Sequence, residues 1–370
     1  MAAVTGGRGP EVAARVGRWL GAAIVLCFLT GLLSHLIQHP PGWFRWPANP
    51  AWLYRVTQGT HVLSGIAAIP LVLVKLWAVY PRLFARPILG GPRRALERLS
   101  IAVLVGSVLF QLATGLSNIA QYYWWDFYFP AAHYATAYLA LGALAVHLAV
   151  KLPVVRDALR GQAANTAPPD PDIRLSRRAA LAGAGTAAVV AVLSVAGQSV
   201  GFLRPLAVLA PRSGTGPQNL PVNRTAARAG IERPARDPDY RLTVIAGDRR
   251  REFTRADLLA LPQTTARLPI ACVEGWSATA DWTGVRLRDL LAATGSTELG
   301  AVRCESLEPA GIYRVSHLPH LHVTDDRTLV ALALNGETLD LDHGYPCRLI
   351  APDRPGVLQT KWLSRIEVIR

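Results

Sequence analysis

The chain has 370 residues, of which 51% are hydrophobic and 17% charged, and its mean hydropathy is +0.24. This composition excludes a disordered chain and argues against a wholly soluble protein, and four cysteines exclude a disulfide scaffold. Most of the net charge of +14 lies in residues 1–204, which hold 18 Lys+Arg against 6 Asp+Glu, whereas residues 205–370 hold 21 against 19. Because the more polar half is nearly balanced, the charge does not indicate a nucleic-acid binder.

Five apolar runs in the first half are each long enough to cross a bilayer, which takes about 20 residues of helix. They are Arg18–Ile37, Gly59–Tyr80, Leu99–Ala120, Pro130–Leu152 and Ala179–Phe202. Basic residues concentrate in the tail before the first run and in the loops after the second and fourth runs. By the positive-inside rule, we expect a multi-pass protein of the inner (cytoplasmic) cell membrane with a cytoplasmic N-terminus and an extracytoplasmic C-terminal domain.

The fifth run begins Leu175-Ser-Arg-Arg-Ala-Ala-Leu181 and resembles a twin-arginine export signal placed inside the chain. Such signals export domains that fold before they cross the membrane, usually because a cofactor is inserted in the cytoplasm. The alternative is that Arg177 and Arg178 are two further positive-inside residues. The run has no clear small-residue cleavage site, so we expect it to remain as an anchor.

Histidines in or near the apolar runs are candidate functional residues, because an ionisable side chain inside a membrane span is costly. They are His35, His61, His133 and His147. His133 and His147 lie 14 positions apart, which on one helix is about 21 Å of rise and a return to nearly the same face. Two stacked haems would need such a spacing, and imidazole is the usual axial ligand of b-type haem.

The apolar half resembles the four-helix cytochrome b subunits of formate dehydrogenases and hydrogenases over roughly residues 15–155. The resemblance implies that His61 and His133 bind one b-type haem near the outer face. It also implies an inner haem that pairs His147 with a histidine of the first span, but His35 lies at the outer end of that span. The second haem therefore stays open, and His35 could instead replace His61 or His133, or lie beside a quinone.

The second half predicts an α+β domain dominated by strands, after a linker rich in Pro, Arg, Gly and Asn at 211–240. Short helices are predicted at Thr254–Leu261, with Thr254 as the cap, and at Arg286–Thr294. The predicted strands are Arg241–Ala246, Ala301–Leu307, Thr328–Leu334, Arg348–Ala351 and Leu363–Ile369.

Cys272 follows an apolar run and precedes Val-Glu-Gly-Trp-Ser, so it is expected at a strand end. There it could be a nucleophile, a soft metal ligand or a small buried hydrophobe. Three further pieces accompany it in order: Leu-Pro-Val-Asn-Arg around Asn223, Asp-His-Gly-Tyr-Pro-Cys-Arg ending at Arg348, and Gln-Thr-Lys-Trp-Leu from Gln359. Together they resemble the sulfite-oxidase-type molybdenum-cofactor domain, in the compact form of the periplasmic protein-methionine-sulfoxide reductase catalytic subunit.

This second resemblance implies that Cys272 is catalytic and binds molybdenum. It also implies that the molybdopterin cofactor and its phosphate contact polar and cationic residues, for which arginine is suited by its bidentate geometry. The implied contacts are Asn223, Arg224, His343, Arg348, Gln359 and Lys361. Taken with these assignments, the expected domains are a cytoplasmic tail (1–16), a four-helix cytochrome b-like domain (17–155), a cytoplasmic linker (156–178), a fifth transmembrane helix (179–203), a second linker (204–240) and the molybdenum-cofactor domain (241–370).

The substrate-binding arginines of sulfite oxidases do not map onto this sequence. The candidates left are Arg303, Arg314, His317, His320 and His322. The three histidines are expected on a surface or substrate-edge loop, because no cysteine pair accompanies them to complete a zinc site. Cys304 and Cys347 could pair, and Cys27 is expected to pack inside the first span.

The sequence thus predicts an all-α transmembrane bundle of four helices plus a fifth anchoring helix, followed by an α+β oxidoreductase domain. Electrons are expected to pass from membrane quinol, or another membrane donor, through b-type haem to molybdenum. Molybdenum would then transfer oxygen from a small-molecule or protein-bound S-oxide or N-oxide. The alternatives are sulfite-type oxidation in the reverse direction with the helices as an anchor, and a non-catalytic haem electron carrier.

Overall fold

The computed structural model describes residues 10–84, 91–159, 176–211 and 216–369. Most of the predicted tail, most of the linker predicted at 156–178 and residues 212–215 of the second linker lie outside the described residues. Five long helices occupy the first half, and each is long and apolar enough to cross a membrane by length and composition. They are α1 (Pro10–Gln38), α2 (Leu53–Leu83), α3 (Pro92–Ala120), α4 (Phe129–Leu159) and α5 (Arg177–Ala196).

Helix α5 differs from its predicted bounds at both ends. The Ser176 hydroxyl accepts a hydrogen bond from the Ala179 backbone N–H over 3.1 Å, so this N-cap places Arg177 and Arg178 inside the first turn. The α-helix ends at Ala196, whereas the sequence predicts a span to Phe202, and the chain continues as a 3-10 helix over Gly201–Leu206.

The chain divides into two compact units. The first contains Met1–Leu33, Thr60–Gly197 and Pro205–Ala210, and its apolar core takes side chains from all five long helices. The second contains Ser34–Gly59, Gln198–Arg204 and Pro211–Arg370. The strand-rich second unit therefore includes two stretches that come from the helical half of the sequence.

Two five-stranded sheets form the body of the second unit, in the orders β2-β1-β10-β5-β6 and β3-β4-β7-β8, with β9 paired to β7. Strand β10 pairs in parallel with β1, while the other strand pairs are antiparallel. The strands are β1 (Leu242–Ala246), β2 (Arg249–Phe253), β3 (Gln263–Ala271), β4 (Ser277–Arg286), β5 (Ala301–Ser306), β6 (Val315–Leu318), β7 (Leu329–Leu334), β8 (Glu337–Thr338), β9 (Arg348–Ile350) and β10 (Leu363–Ile369).

Alternating side chains of the two sheets form one buried core, to which Val244 and Ile366 contribute from the first sheet and Val285 and Leu349 from the second. Short helices precede and connect the strands: α6 (Ala226–Ala229) and α7 (Glu232–Ala235) come before β1, and α8 (Arg255–Ala260), α9 (Leu287–Ala292) and α10 (His320–Val323) lie between strands. The strands and both short helices predicted from the sequence are confirmed to within two residues at each end, including the Thr254 cap of α8. The remaining strands and short helices were not predicted.

Candidate active site in the strand-rich unit

Cys272 lies in a tight turn between β3 and β4. Its backbone N–H donates to the carbonyl of Trp276 over 2.9 Å, and the N–H of Gly275 donates to the Cys272 carbonyl over 3.0 Å. Gly275 has φ +94, which glycine adopts without steric cost. The turn buries the Cys272 side chain to 1% exposure, so the structure places this thiol at the inner end of a strand, as the sequence predicts.

The surroundings of the Cys272 sulfur favour the protonated thiol in the absence of a metal. Burial, and secondly the Glu274 carboxylate, raise the pKa of Cys272 well above its ordinary value, although the backbone N–H groups of Glu274 and Val273 donate to the sulfur and act in the opposite direction. A bound metal ion displaces such a proton and takes the thiolate as its ligand.

A second wall of the site is built on Gly344, between a 3-10 turn (Leu341–His343) and β9. Gly344 has φ +112, and a Cβ there would lie 2.9 Å from the Cβ of Arg348 and 3.3 Å from the Cβ of Lys361. Any larger residue would push these chain segments apart, so glycine at this position allows the backbone segments that carry Arg348 and Lys361 to lie close together.

Arg348 is a buried cation, 3% exposed, and stacks on the ring of Trp282 with its guanidinium carbon 5.0 Å from the ring centroid. It donates to the carbonyl oxygens of His343 (3.0 Å) and Gln359 (3.2 Å), while its Nε has no partner among the described residues. Burial lowers the pKa of Arg348 to about 9.

Lys361 is a second cation, and its ammonium group is enclosed by oxygen acceptors. Nζ donates to the Asn223 side-chain oxygen (3.2 Å) and to the carbonyl oxygens of Arg224 (2.5 Å) and Asp342 (3.0 Å). Burial, and secondly the charge of Arg348, lower the pKa of Lys361 to about 7. Within the described residues, neither Lys361 nor Arg348 forms an ion pair with a carboxylate.

One cavity of about 70 Å³ lies between these walls. Every residue that the sequence assigns to the molybdenum cofactor lines it: Cys272, Asn223, Arg224, His343, Arg348, Gln359 and Lys361. A buried thiol beside two cations that have no carboxylate partner fits an anionic, sulfur-ligated group, because an unpaired buried charge is costly. The residues present therefore fit a molybdenum–pterin cofactor whose phosphate Arg348 and Lys361 would hold.

Three of these residues also have structural roles. Nε2 of His343 donates to the Pro217 carbonyl over 2.7 Å, and burial lowers the pKa of His343 to about 4. The side-chain amide of Gln359 forms hydrogen bonds to the backbone: it accepts from the N–H of Ala351 (3.3 Å) and donates to the carbonyl of Arg354 (2.9 Å).

Arg224 forms an ion pair with Glu308 over 2.8 Å. Burial raises the pKa of Glu308, and the charges of Arg224 and Lys361 oppose that shift. The sequence did not indicate several other residues of the cavity wall, among them Glu308, Trp276, Ser306 and Tyr313. Of these four, only Trp276 stands in one of the motifs, the one around Cys272.

None of the five substrate candidates lines the cavity in the described structure. Arg303 and Arg314 both pair with Glu305. The loop predicted at 317–322 is instead the end of β6 and helix α10, and His322 is fully buried there rather than at the surface. Burial lowers the pKa of His322 to about 3.

Cys304 and Cys347 are free thiols in the structure, and burial raises the pKa of each to about 12. Cys347 lies 3.2 Å from the hydroxyl of Tyr240. Their pairing, which the sequence left open, is not present.

A second candidate site lies in the first unit, where His61 on α2 faces His133 on α4 with ring centroids 6.4 Å apart. Two imidazoles on opposite sides of one metal ion, each with a bond of about 2.0–2.1 Å, have ring centres about 6.3 Å apart. The separation of these two rings is therefore compatible with a shared metal ion.

The hydrogen bonds of both rings leave Nε2 available as a ligand. Nδ1 of His61 lies 2.9 Å from the Cys27 carbonyl, which can only accept. Nδ1 of His133 lies 2.8 Å from the Thr114 hydroxyl, whose own proton goes to the Phe110 carbonyl over 2.7 Å. Both Nδ1 atoms are thus donors, and such outer hydrogen bonds orient metal-binding histidines. Cys27, expected only to pack, also contacts His61 at 3.5 Å.

The other two histidines have different ring environments. His35 stacks on His39 with centroids 4.7 Å apart, and His147 has no ring contact with another histidine among the described residues. The part of the chain that the structure describes also contains no cluster of three or more His, Cys, Asp or Glu that could hold a metal ion.

Comparison with known proteins finds matches to the part of the chain that contains Cys272. Residues 230–370 match the model of the oxidoreductase molybdopterin binding domain. Human mitochondrial sulfite oxidase is 34% identical over 142 residues, which cover 35% of this chain and 24% of the relative. Nitrate reductase [NADPH] from Phytophthora infestans is 38% identical over 101 residues, covering 24% of this chain and 10% of the relative.

The crystal structure of the sulfane dehydrogenase SoxCD from Paracoccus pantotrophus matches with a TM-score of 0.33 and 28% identity, over 35% of this chain and 38% of that one. The chain spans about a quarter of the length of the human relative. Residues 230–370 are therefore similar to the molybdopterin-binding part of sulfite oxidases and nitrate reductases, a similarity that supports a molybdenum-dependent oxidoreductase.

Proposed function

We propose that the protein is a membrane-bound molybdenum oxidoreductase in which electrons pass from quinol, or another membrane donor, through a b-type haem to an outward-facing molybdenum centre that reduces an S-oxide or N-oxide. The observation that carries the molybdenum part is the convergence of Cys272, Arg348 and Lys361 on one cavity. The His61–His133 pair supports the haem, and the five apolar helices support the membrane location.

The residues of the cavity have distinct proposed roles. Bound molybdenum would supply the two-electron oxygen-atom chemistry. Cys272 would hold the metal, while Arg348 and Lys361 would neutralise the phosphate and orient the pterin. Reduction of an S-oxide consumes two electrons and two protons and releases water. Lys361, with a pKa of about 7, is a group on the wall that can exchange a proton near neutral pH, and burial raises the pKa of Glu308 beside it.

Sulfite-type oxidation is the second candidate function, because several curated relatives are sulfite oxidases. It would use the same cavity with electrons flowing outward from molybdenum. Two assays of the purified full chain separate the two directions. One uses sulfite with a haem-oxidising acceptor, and the other uses methionine sulfoxide or an N-oxide with a reduced quinol. Turnover only with sulfite would overturn the proposed direction.

The molybdenum assignment is tested with Cys272→Ser in the full chain, purified in detergent. We expect activity to disappear while the haem absorption spectrum stays unchanged, because only the metal ligand is altered. Cys304→Ser is the matched control, since Cys304 is also fully buried in the same unit but does not line the cavity. Unchanged activity of the Cys272 variant would disprove the assignment.

The haem assignment is tested by elemental analysis and optical spectra. We expect about one molybdenum and one iron per chain, with the iron lost in His61→Ala and kept in His35→Ala. An unchanged haem spectrum in the His61 variant would refute His61 as a ligand, and wild-type protein with molybdenum but no iron would mean that the helices are only an anchor. Two irons per chain would assign a second site to His147.

A further inference from the structure

The turn that carries Cys272 is held by residues that are distant in sequence but belong to the same unit. Gln58, on the first turns of α2, donates from Nε2 to the carbonyl oxygen of Val273 over 2.9 Å. The Ser199 hydroxyl donates to the carbonyl of Gly275, and the N–H of Ser277 donates to the carbonyl of Gln198 over 2.9 Å. Two carbonyls inside the turn are therefore fixed by side chains from elsewhere in the chain.

The contact of Gln58 bears directly on the Cys272 sulfur. The peptide group whose carbonyl accepts from Gln58 is the one between Val273 and Glu274. The N–H of that same peptide group, on Glu274, donates to the sulfur of Cys272. Gln58 and the Cys272 sulfur are thus connected by two hydrogen bonds, both made by the peptide group between Val273 and Glu274.

Hydrogen bonds in such a chain reinforce one another. A donor at a carbonyl oxygen draws electron density from the peptide group and makes its N–H a stronger donor, by about 10–30% per bond. Hydrogen bonds to a ligand sulfur are among the factors that set the potential of a metal centre. A stronger donor stabilises the more electron-rich, reduced metal and raises its reduction potential.

The orientation of the Gln58 amide is determined by its neighbours. Its side chain is 4% exposed, and Oε1 accepts from the Tyr54 hydroxyl over 3.4 Å. The Tyr54 hydroxyl lies 3.1 Å from that of Ser34. Since the Val273 carbonyl can only accept, the NH₂ end of the amide must face it, and the Tyr54 hydroxyl then satisfies the other end.

We propose that Gln58 is a positioning residue for the molybdenum ligand, which orients and polarises the Val273–Glu274 peptide group and thereby raises the reduction potential of molybdenum bound to Cys272. The proposal rests on the proposed function only in that Cys272 binds molybdenum. It assigns to the start of α2 a role in the electronics of the metal site.

The test is Gln58→Met in the full chain with its cofactor. Methionine has the length of glutamine and no donor, so the turn loses one hydrogen bond with little change in volume. Gln198→Met is the matched control, because Gln198 is also buried (5% exposed), its side-chain amide has no hydrogen-bond partner among the described residues, and the substitution keeps the backbone carbonyl that accepts from Ser277. Redox titration followed by the Mo(V) electron paramagnetic resonance signal measures the potential.

We expect Gln58→Met to retain molybdenum and to shift the one-electron equilibrium about twofold to fourfold against reduction, which is about 18 to 36 mV lower at 59 mV per tenfold. The g values of the signal should change as well, whereas the Gln198 variant should match the wild type. Tyr54→Phe, which frees the oxygen end of the Gln58 amide, should shift the potential in the same direction by a smaller amount.

An unchanged signal and potential in both Gln58→Met and Tyr54→Phe, with molybdenum present, would overturn the inference and leave the proposed function intact. Equal shifts in Gln58→Met and Gln198→Met would also overturn it, because the effect would then be general to buried amide loss. Wild-type protein without molybdenum, from cells able to make the cofactor, would overturn the proposed function and the inference together.

Discussion

Replacement of Lys361 by methionine should separate cofactor binding from folding. The ammonium group has three oxygen acceptors and no carboxylate within ion-pair distance in the described chain. Desolvation of a cation in that position costs free energy in the cofactor-free protein, and a bound anion would offset this cost. We therefore expect Lys361→Met to lose the cofactor while the cofactor-free fold keeps nearly its full stability.

The expected change in stability is the difference of two opposing effects. A pKa of about 7, against 10.5 for an ordinary lysine, means that the charged form costs roughly 4 kcal/mol at pH 7. Because part of the side chain reaches solvent, about 2 kcal/mol of this is retained. Loss of three hydrogen bonds offsets it by about 1 kcal/mol each. The net change in the free energy of unfolding at pH 7 should be about 1 kcal/mol, and destabilising.

The effect also depends on pH with a definite sign. Between about pH 7 and pH 10.5 the unfolded chain holds the lysine proton and the folded chain does not, so wild-type stability rises with pH across this window. The methionine variant should lack that rise. On the cofactor side, one charge-assisted hydrogen bond to phosphate is worth about 1.5–3 kcal/mol, so binding should weaken about 10- to 150-fold.

The assay compares molybdenum and pterin content of the purified full chain with denaturant unfolding of protein from cells that cannot make the cofactor. Arg250→Met is the control, because Arg250 is exposed on β2 and forms a surface ion pair with Glu252. Normal cofactor content in Lys361→Met would refute the reasoning. So would a loss of more than about 3 kcal/mol in the cofactor-free protein, since the lysine would then be a structural residue.

Three further predictions concern the strand-rich unit. Gly344→Ala should lower the free energy of unfolding by about 2–4 kcal/mol, because it combines a left-handed backbone with a Cβ 2.9 Å from the Cβ of Arg348. A lowered thermal midpoint together with loss of molybdenum would confirm this prediction. His322→Leu should make the protein more stable in acid. The buried ring of the wild type stays neutral down to its pKa of about 3, whereas the histidine of the unfolded chain gains a proton between pH 8 and pH 5. The free energy of unfolding of the wild type therefore falls by about 2 kcal/mol across this range, and that of the variant should not. Trp46→Phe should cost about 1 kcal/mol in denaturant unfolding, because the indole N–H donates to the buried Asp353 carbonyl over 3.0 Å; equal stability would contradict the contact.

The cavity was predictable because its residues sit in short motifs that combine a chemical group with a turn. Cys272 precedes Glu-Gly-Trp, and Arg348 follows His-Gly-Tyr-Pro, so each motif contains the glycine that its backbone needs. The pattern of apolar residues likewise predicted the five long helices and most of the core strands. The resemblance then assembled pieces that lie more than a hundred residues apart.

What the sequence did not predict depends on contacts that no local pattern encodes. Strand β2 begins with three consecutive arginines, whose side chains do not favour a sheet. The strand forms because its backbone pairs with that of β1. His322 belongs to a cluster of histidines that looks polar, yet the fold buries it completely. Gln58 and Val273 are 215 positions apart, so their hydrogen bond could not be predicted from either neighbourhood.

These contacts show that the second unit is not made of the C-terminal half of the sequence alone. If the segment before α2 were only a connecting loop, its side chains would be solvated. Instead, Tyr54 is 1% exposed, and its backbone N–H donates to Asp353 over 2.5 Å. Gln58 in turn donates into the Cys272 turn. The residues from Ser34 to Gly59 therefore complete the core and the Cys272 turn of the second unit. A truncated chain that begins after them would lose buried partners on which the Cys272 turn depends.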